Sequence, residues 1–145
     1  MTDRPLDEEA ERFVDWLVEA GQTWWQILPL APPDGFGSPY AGRSAFAAWS
    51  GLIPDDPVPV TRQELTAFRE RNAAWADDWE RMEGPAALVE QVRVERRWRE
   101  VREYANRRGI RIMGDLPLYV AAGGADQRAH PEFFRTDAVG GVPPD

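Results

Sequence analysis

Apolar residues along this chain recur first at helical spacing, then in short continuous runs. Leu6, Ala10, Phe13, Val14 and Leu17 fall on one face of a helix over residues 7–20. Asp7 is its candidate N-cap, and Glu8 and Glu9 suit the positive end of the helix dipole. Gly21 stands where a left-handed glycine ends a helix. The apolar run at residues 23–28 has the length of a buried strand, and Pro29 stops it because proline has no N–H for a sheet ladder. Residues 31–40 hold three prolines and two glycines and read as a loop. A short helix is expected at residues 44–49, and residues 54–59 are broken by proline. Thr61 caps an expected helix over residues 62–76, with Glu64 at the capping-box position. Gly84 and Pro85 are expected to open the longest helix, whose buried stripe is Val94, Trp98, Val101 and Ala105. Arg107 and Arg108 suit its negative end, Gly109 ends it, and residues 110–113 form a second strand closed by Pro117.

The two units share one order: helix, glycine, short apolar strand, then Leu28-Pro29-Leu30 or Leu116-Pro117-Leu118. Helices alternating with buried strands predict a parallel α/β sheet. Ligands of such folds meet the loops beyond the carboxyl ends of the strands, here residues 31–40 and 115–130.

Composition narrows the chemistry. The net charge is −8, and the basic residues are all arginine, which argues against a nucleic-acid or anionic-membrane partner. The densest basic run, residues 93–99, is interrupted by Glu95 and reads as a solvated helix face. Without cysteine there is no disulfide, thiolate nucleophile or cysteine-ligated zinc, and one histidine cannot make a multi-histidine metal site. No metal or other cofactor is expected. The first ten residues carry four acidic groups and no apolar run, so the expected location is cytoplasmic. Seven tryptophans are the unusual feature. Trp16, Trp24 and Trp98 are expected in the core, although flat indole rings also suit sugar faces. His130 is expected to have a structural, helix-end role beside Pro131 and Phe133. Asp126 and Glu132 are expected at the surface or at caps. Gly123-Gly124 is a turn without the spacing of a nucleotide loop.

Four blocks, in order, carry a family resemblance. The first is Trp25-Gln26-Ile27-Leu28-Pro29-Leu30 with Gly37-Ser38-Pro39-Tyr40 and Ser44-Ala45-Phe46-Ala47. The second is Gly109-Ile110-Arg111-Ile112-Met113-Gly114-Asp115-Leu116-Pro117-Leu118-Tyr119-Val120-Ala121. The third is Ala129-His130-Pro131-Glu132 with the following phenylalanines, and the fourth is Gly141-Val142-Pro143-Pro144-Asp145. Together they resemble the amylomaltase, or 4-alpha-glucanotransferase, family.

The resemblance implies a (β/α)₈ TIM barrel of which this chain is the N-terminal portion, since such a barrel takes about 250 residues. It implies transfer of alpha-1,4-glucan segments between maltooligosaccharides by a retaining double displacement, with a nucleophilic aspartate, an acid/base glutamate and a supporting aspartate. None of those three can be placed here. In the family they lie beyond the Val-Pro-Pro-Asp block, and the family's first strand has no counterpart upstream of the first helix. The stretch between the two strands is also shorter than usual. The expectation is therefore an incomplete piece, inactive alone, that supplies glucan-binding loops. By the resemblance, Ser38 and Tyr40 match the groove-lining Ser-Pro-Tyr loop, Phe36 matches an aromatic position touching glucan, Asp115 matches the aspartate at a strand end, and Asp145 matches a loop aspartate near the active site. Two alternatives stand beside this one: another retaining alpha-glucan hydrolase, and a non-catalytic carbohydrate-binding or scaffold domain.

Overall fold

The computed structural model describes residues 6–54, 56–117, 119–135 and 137–138. Its helices are α1 (Glu8–Glu19), α2 (Arg62–Arg71), α3 (Ala76–Glu83), α4 (Ala87–Arg107) and α5 (Ala125–Ala129). Its strands are β1 (Trp24–Gln26) and β2 (Arg111–Met113), and 3-10 turns form at Pro39–Ala41, Ser50–Leu52 and Pro131–Phe133. Among the described residues no helix is long and apolar enough to cross a membrane.

The two helix–strand units form as the pattern requires. Asp7 caps α1 by accepting the Glu9 N–H at 2.8 Å, and Gly21 takes φ +69° after its last turn. Gly109, at φ +80°, plays the same part after α4. β1 and β2 then pair in parallel, with Trp24, Trp25 and Gln26 opposite Arg111, Ile112 and Met113. Alternation along the strands sends Trp25 and Ile112 toward α1 and α4, where they close over Val14, Leu17, Ala105 and Ile110. A second cluster joins α2, α3, α4 and α5 through Phe68, Trp79, Leu88, Val92 and Ala125. Polar links fix α1 on α4: the Arg97 guanidinium grips Glu11 at 2.8 Å, and the Tyr104 hydroxyl donates to Asp15 at 2.9 Å.

Several expectations need correction. Trp16 is 58% exposed and Trp24 is also exposed, so neither is a core residue, and Trp98 is only half-buried. α1 buries the stripe of Ala10, Val14 and Leu17, which leaves Trp16 on its flank stacked on Phe13 at 5.6 Å. Trp24 lies on the sheet face opposite the helices, with the Arg111 guanidinium 4.2 Å over its ring. The helix expected over residues 62–76 is two helices. The Asn72 side chain donates to the Phe68 carbonyl at 2.9 Å, in competition with the helix ladder, and the chain turns before α3 begins. Gly84, at φ +96°, ends α3 by donating to Glu80, and α4 starts only at Ala87.

Residues 44–49 form no helix. Their N–H groups are taken elsewhere. Ser44, 2% exposed, accepts from the Phe46 and Ala47 amides at 3.1 Å each. Asp126 accepts from the Ala45 amide at 3.0 Å. Gln91, on α4, clamps Ala48 through both backbone groups, at 2.9 and 2.8 Å. The Trp49 amide donates to the Leu30 carbonyl at 2.7 Å. With every amide from Ala45 to Trp49 already partnered, a local helix has nothing to gain.

Candidate functional site

Parallel pairing brings the carboxyl ends of β1 and β2 to one edge, so the loops that follow them are neighbours. The first loop is shaped by Asp34. Its carboxylate accepts from the amides of Phe36 at 2.8 Å and Ser38 at 2.9 Å, while its own N–H donates to the Ser38 carbonyl. Gly37, at φ +82°, allows the tight reversal. Ser38 then caps the turn Pro39–Ala41 by accepting the Tyr40 amide at 3.3 Å. The second loop starts at Asp115, whose Oδ1 accepts from the Leu116 amide at 2.8 Å.

The two loops meet where the Tyr40 hydroxyl donates to Asp115 Oδ2 at 2.7 Å. This bond to a carboxylate, followed by burial, raises the Tyr40 pKa above its ordinary value, so the phenol keeps its proton well into alkaline solution. The arrangement leaves defined capacity for a ligand. The Ser38 oxygen is used as an acceptor and its hydrogen is free to turn. Each Asp115 oxygen accepts one bond here and has room for another. Phe36, 99% exposed, stands bare at the loop tip. Phe36, Ser38 and Tyr40 therefore share one loop, with Asp115 bonded to it from the other. Asp145 lies outside the described residues. Among the described residues no three His, Cys, Asp or Glu side chains converge as metal ligands.

Close approach of the backbones holds the loops together. The Ala121 amide donates to the Gly42 carbonyl at 3.3 Å and the Ala125 amide to the Arg43 carbonyl at 2.8 Å. A Cβ on Gly124 would lie 2.8 Å from the Arg43 oxygen, and one on Gly42 would lie 2.1 Å from the Pro32 oxygen, so both positions need glycine. His130 ends α5 and leans on Phe133 with ring centroids 5.5 Å apart, the structural role expected of it. Asp126, expected as a surface or capping residue, reaches across to the other loop. Sequence reasoning passed over Asp34 and Gln91. Asp34-Gly35 is a turn signal that would have found the first. Gln91 was visible as a polar residue on the buried face of α4.

The profile of the 4-alpha-glucanotransferase family matches this chain in two overlapping stretches, residues 6–83 and 61–145. The 4-alpha-glucanotransferase of Thermus thermophilus is 29% identical over 225 aligned positions, which cover 97% of this chain and 45% of that protein. The chloroplastic/amyloplastic 4-alpha-glucanotransferase DPE1 of Arabidopsis thaliana is 28% identical, with 97% of this chain and 40% of that protein covered. Among solved structures, the amylomaltase from Streptococcus agalactiae in complex with acarbose superimposes with a TM-score of 0.75 at 24% identity, over 90% of this chain and 43% of that one. This chain thus spans less than half the length of the relatives it matches. Its parallel strands and covering helices are part of a (β/α)₈ barrel, the fold of that amylomaltase. The match over residues 6–145 decides the family: the chain belongs to the 4-alpha-glucanotransferases.

Proposed function

We propose that the chain supplies glucan-binding loops to an enzyme that moves alpha-1,4-glucan segments between maltooligosaccharides with retention at the anomeric carbon. The observation that carries this reading is the Tyr40–Asp115 bond across two strand-end loops, in a chain of this family. Barrel enzymes place their sites at this end. In this reading Phe36 stacks on a pyranose face, Ser38 donates to a sugar oxygen, and Tyr40 holds a ring edge. Asp115 accepts sugar hydroxyls on its free lone pairs. Asp145, by the family resemblance alone, is a further sugar acceptor. The nucleophilic and acid/base carboxylates of the two-step displacement come from outside these 145 residues, and a sugar hydroxyl replaces water in the second step. The chain therefore orients glucan and has no transferase activity by itself. The acidic surface suits a neutral sugar partner in the cytoplasm and gives nucleic acid no purchase.

A chimaera tests the reading. Residues 6–138 replace the matching segment of the Thermus thermophilus relative, and the product is incubated with maltotriose. Longer oligosaccharides plus glucose are expected, and Tyr40→Phe and Asp115→Asn each lower kcat/KM about 10-fold, the scale of one lost hydrogen bond. Glucose and maltose alone would rule out transfer. Unchanged rates in both variants would rule out the roles given to the loops.

A further inference from the structure

We propose that Asp126 is a positioning residue. By holding the Ala45 amide it staples the loop after β1 to the loop after β2, and so sets the Tyr40–Asp115 pair. The pair closes one end of a ring of chain. The Ala121–Gly42 bond closes the other, only two residues from Tyr40 and six from Asp115. A ring held by two single hydrogen bonds is soft. Its rigidity comes from the next contacts out, the Ala125 amide on the Arg43 carbonyl and the Asp126 carboxylate on the Ala45 amide. These bonds grip Arg43 and Ala45, on either side of Ser44, from the first turn of α5, whose N-cap is Gly124. Beyond Ala45 the segment is anchored to α4 by the Gln91 clamp on Ala48, so a shift at Asp126 passes toward Tyr40 and not into the core. The carboxylate bond is charge-assisted and is the one side-chain bond among the three that back up the Tyr40–Asp115 pair, the other two being backbone bonds. As a statement about sugar binding the inference rests on the function proposed above. As a statement about geometry it is tested without sugar.

The readout is the ionisation of Tyr40 in the whole chain, followed by the ¹³Cζ resonance of labelled tyrosine and assigned by its disappearance in Tyr40→Phe. Tyr40 is expected to titrate above the ordinary phenol value of about 10, because Asp115 accepts its proton. Asp126→Ala is expected to move the midpoint down toward that value, while Asp126→Asn, which keeps an acceptor oxygen for Ala45, restores the wild-type midpoint. The asparagine variant also separates geometry from charge, since both substitutions remove the same negative charge. Gly124→Ala changes no charge and wedges a methyl group 2.8 Å from the Arg43 oxygen, so it too is expected to lower the midpoint. It decides the matter should Asp126→Ala fail to fold. A folded Asp126→Ala with an unmoved Tyr40 midpoint, or an Asp126→Asn that behaves like the alanine, overturns the staple. Maltooligosaccharides that leave the Tyr40 signal untouched would count against the glucan reading and not against the staple.

Discussion

At position 91 the long helix places a glutamine on its buried face, between Leu88 and Val94. The side chain is 5% exposed and spends both polar atoms on the Ala48 backbone. Gln91→Leu would leave the Ala48 N–H and C=O without partners. At about 1–3 kcal/mol for each stranded group, the expected loss is about 3 kcal/mol, read from the denaturant midpoint. An unchanged midpoint would mean that the clamp contributes nothing. The signal for Gln91 was local, a polar residue in an apolar stripe. Ser38, Tyr40 and Asp115 were legible differently, through blocks of neighbouring residues that match a family. What no local pattern carries is the partner. Tyr40 and Asp115 are 75 residues apart, and Ala45 and Asp126 are 81 apart. Only folding reveals that a residue suited to a surface or cap spans two loops.

At the scale of elements, α2 shows how a helix start is wired into the rest of the molecule. Thr61 and Glu64 complete a capping box, with Thr61 Oγ1 accepting from the Glu64 amide at 3.2 Å and Glu64 Oε2 accepting from the Thr61 amide at 2.9 Å. The other Glu64 oxygen accepts from Arg96 at 2.7 Å, and the same guanidinium bonds the Val58 and Pro59 carbonyls. These bonds, that from Arg96 first, hold the Glu64 carboxyl at about 2. Because the folded value lies below the ordinary one, the contribution of Glu64 is complete above the usual carboxylate range and is lost as pH falls through about 2. A carboxyl ¹³C titration should find Glu64 still ionised at pH 3, and Arg96→Met should raise its midpoint. A wild-type midpoint in the usual carboxylate range would contradict this wiring. The capping box was legible because its residues are close in sequence. The break after α2 was not, because it depends on Asn72 bonding its own turn and on Trp75 packing edge-on against Phe68 at 5.8 Å.

At the scale of the molecule, the alternation of helix and strand was legible, and so was parallel pairing. The direction in which each tryptophan faces was not, because it depends on which sheet face is covered. Trp24, Gln26, Arg111 and Met113 line the side away from α1 and α4 and are exposed. Alternation in the ladder also turns the backbone groups of Trp24 and Gln26 away from β2. In a closed barrel that side is the packed interior and each strand has two neighbours. The relatives have the length for this, since this chain aligns to 45% of the Thermus thermophilus protein. The two profile matches overlap at residues 61–83, the stretch that holds α2 and α3. The 225-position alignment of a 145-residue chain likewise means that the relative carries sequence with no counterpart here. Both observations fit the shortened inter-strand region read from the sequence. What the molecule retains is one strand-end edge with its loops locked together. The most direct measurement of that claim is a ¹⁵N NMR titration of the chain with maltoheptaose. Amide shifts concentrated at Phe36, Ser38, Tyr40 and Leu116, and abolished by Tyr40→Phe, are predicted. Shifts scattered over the helices, or none at these four amides up to the solubility of the sugar, would contradict it.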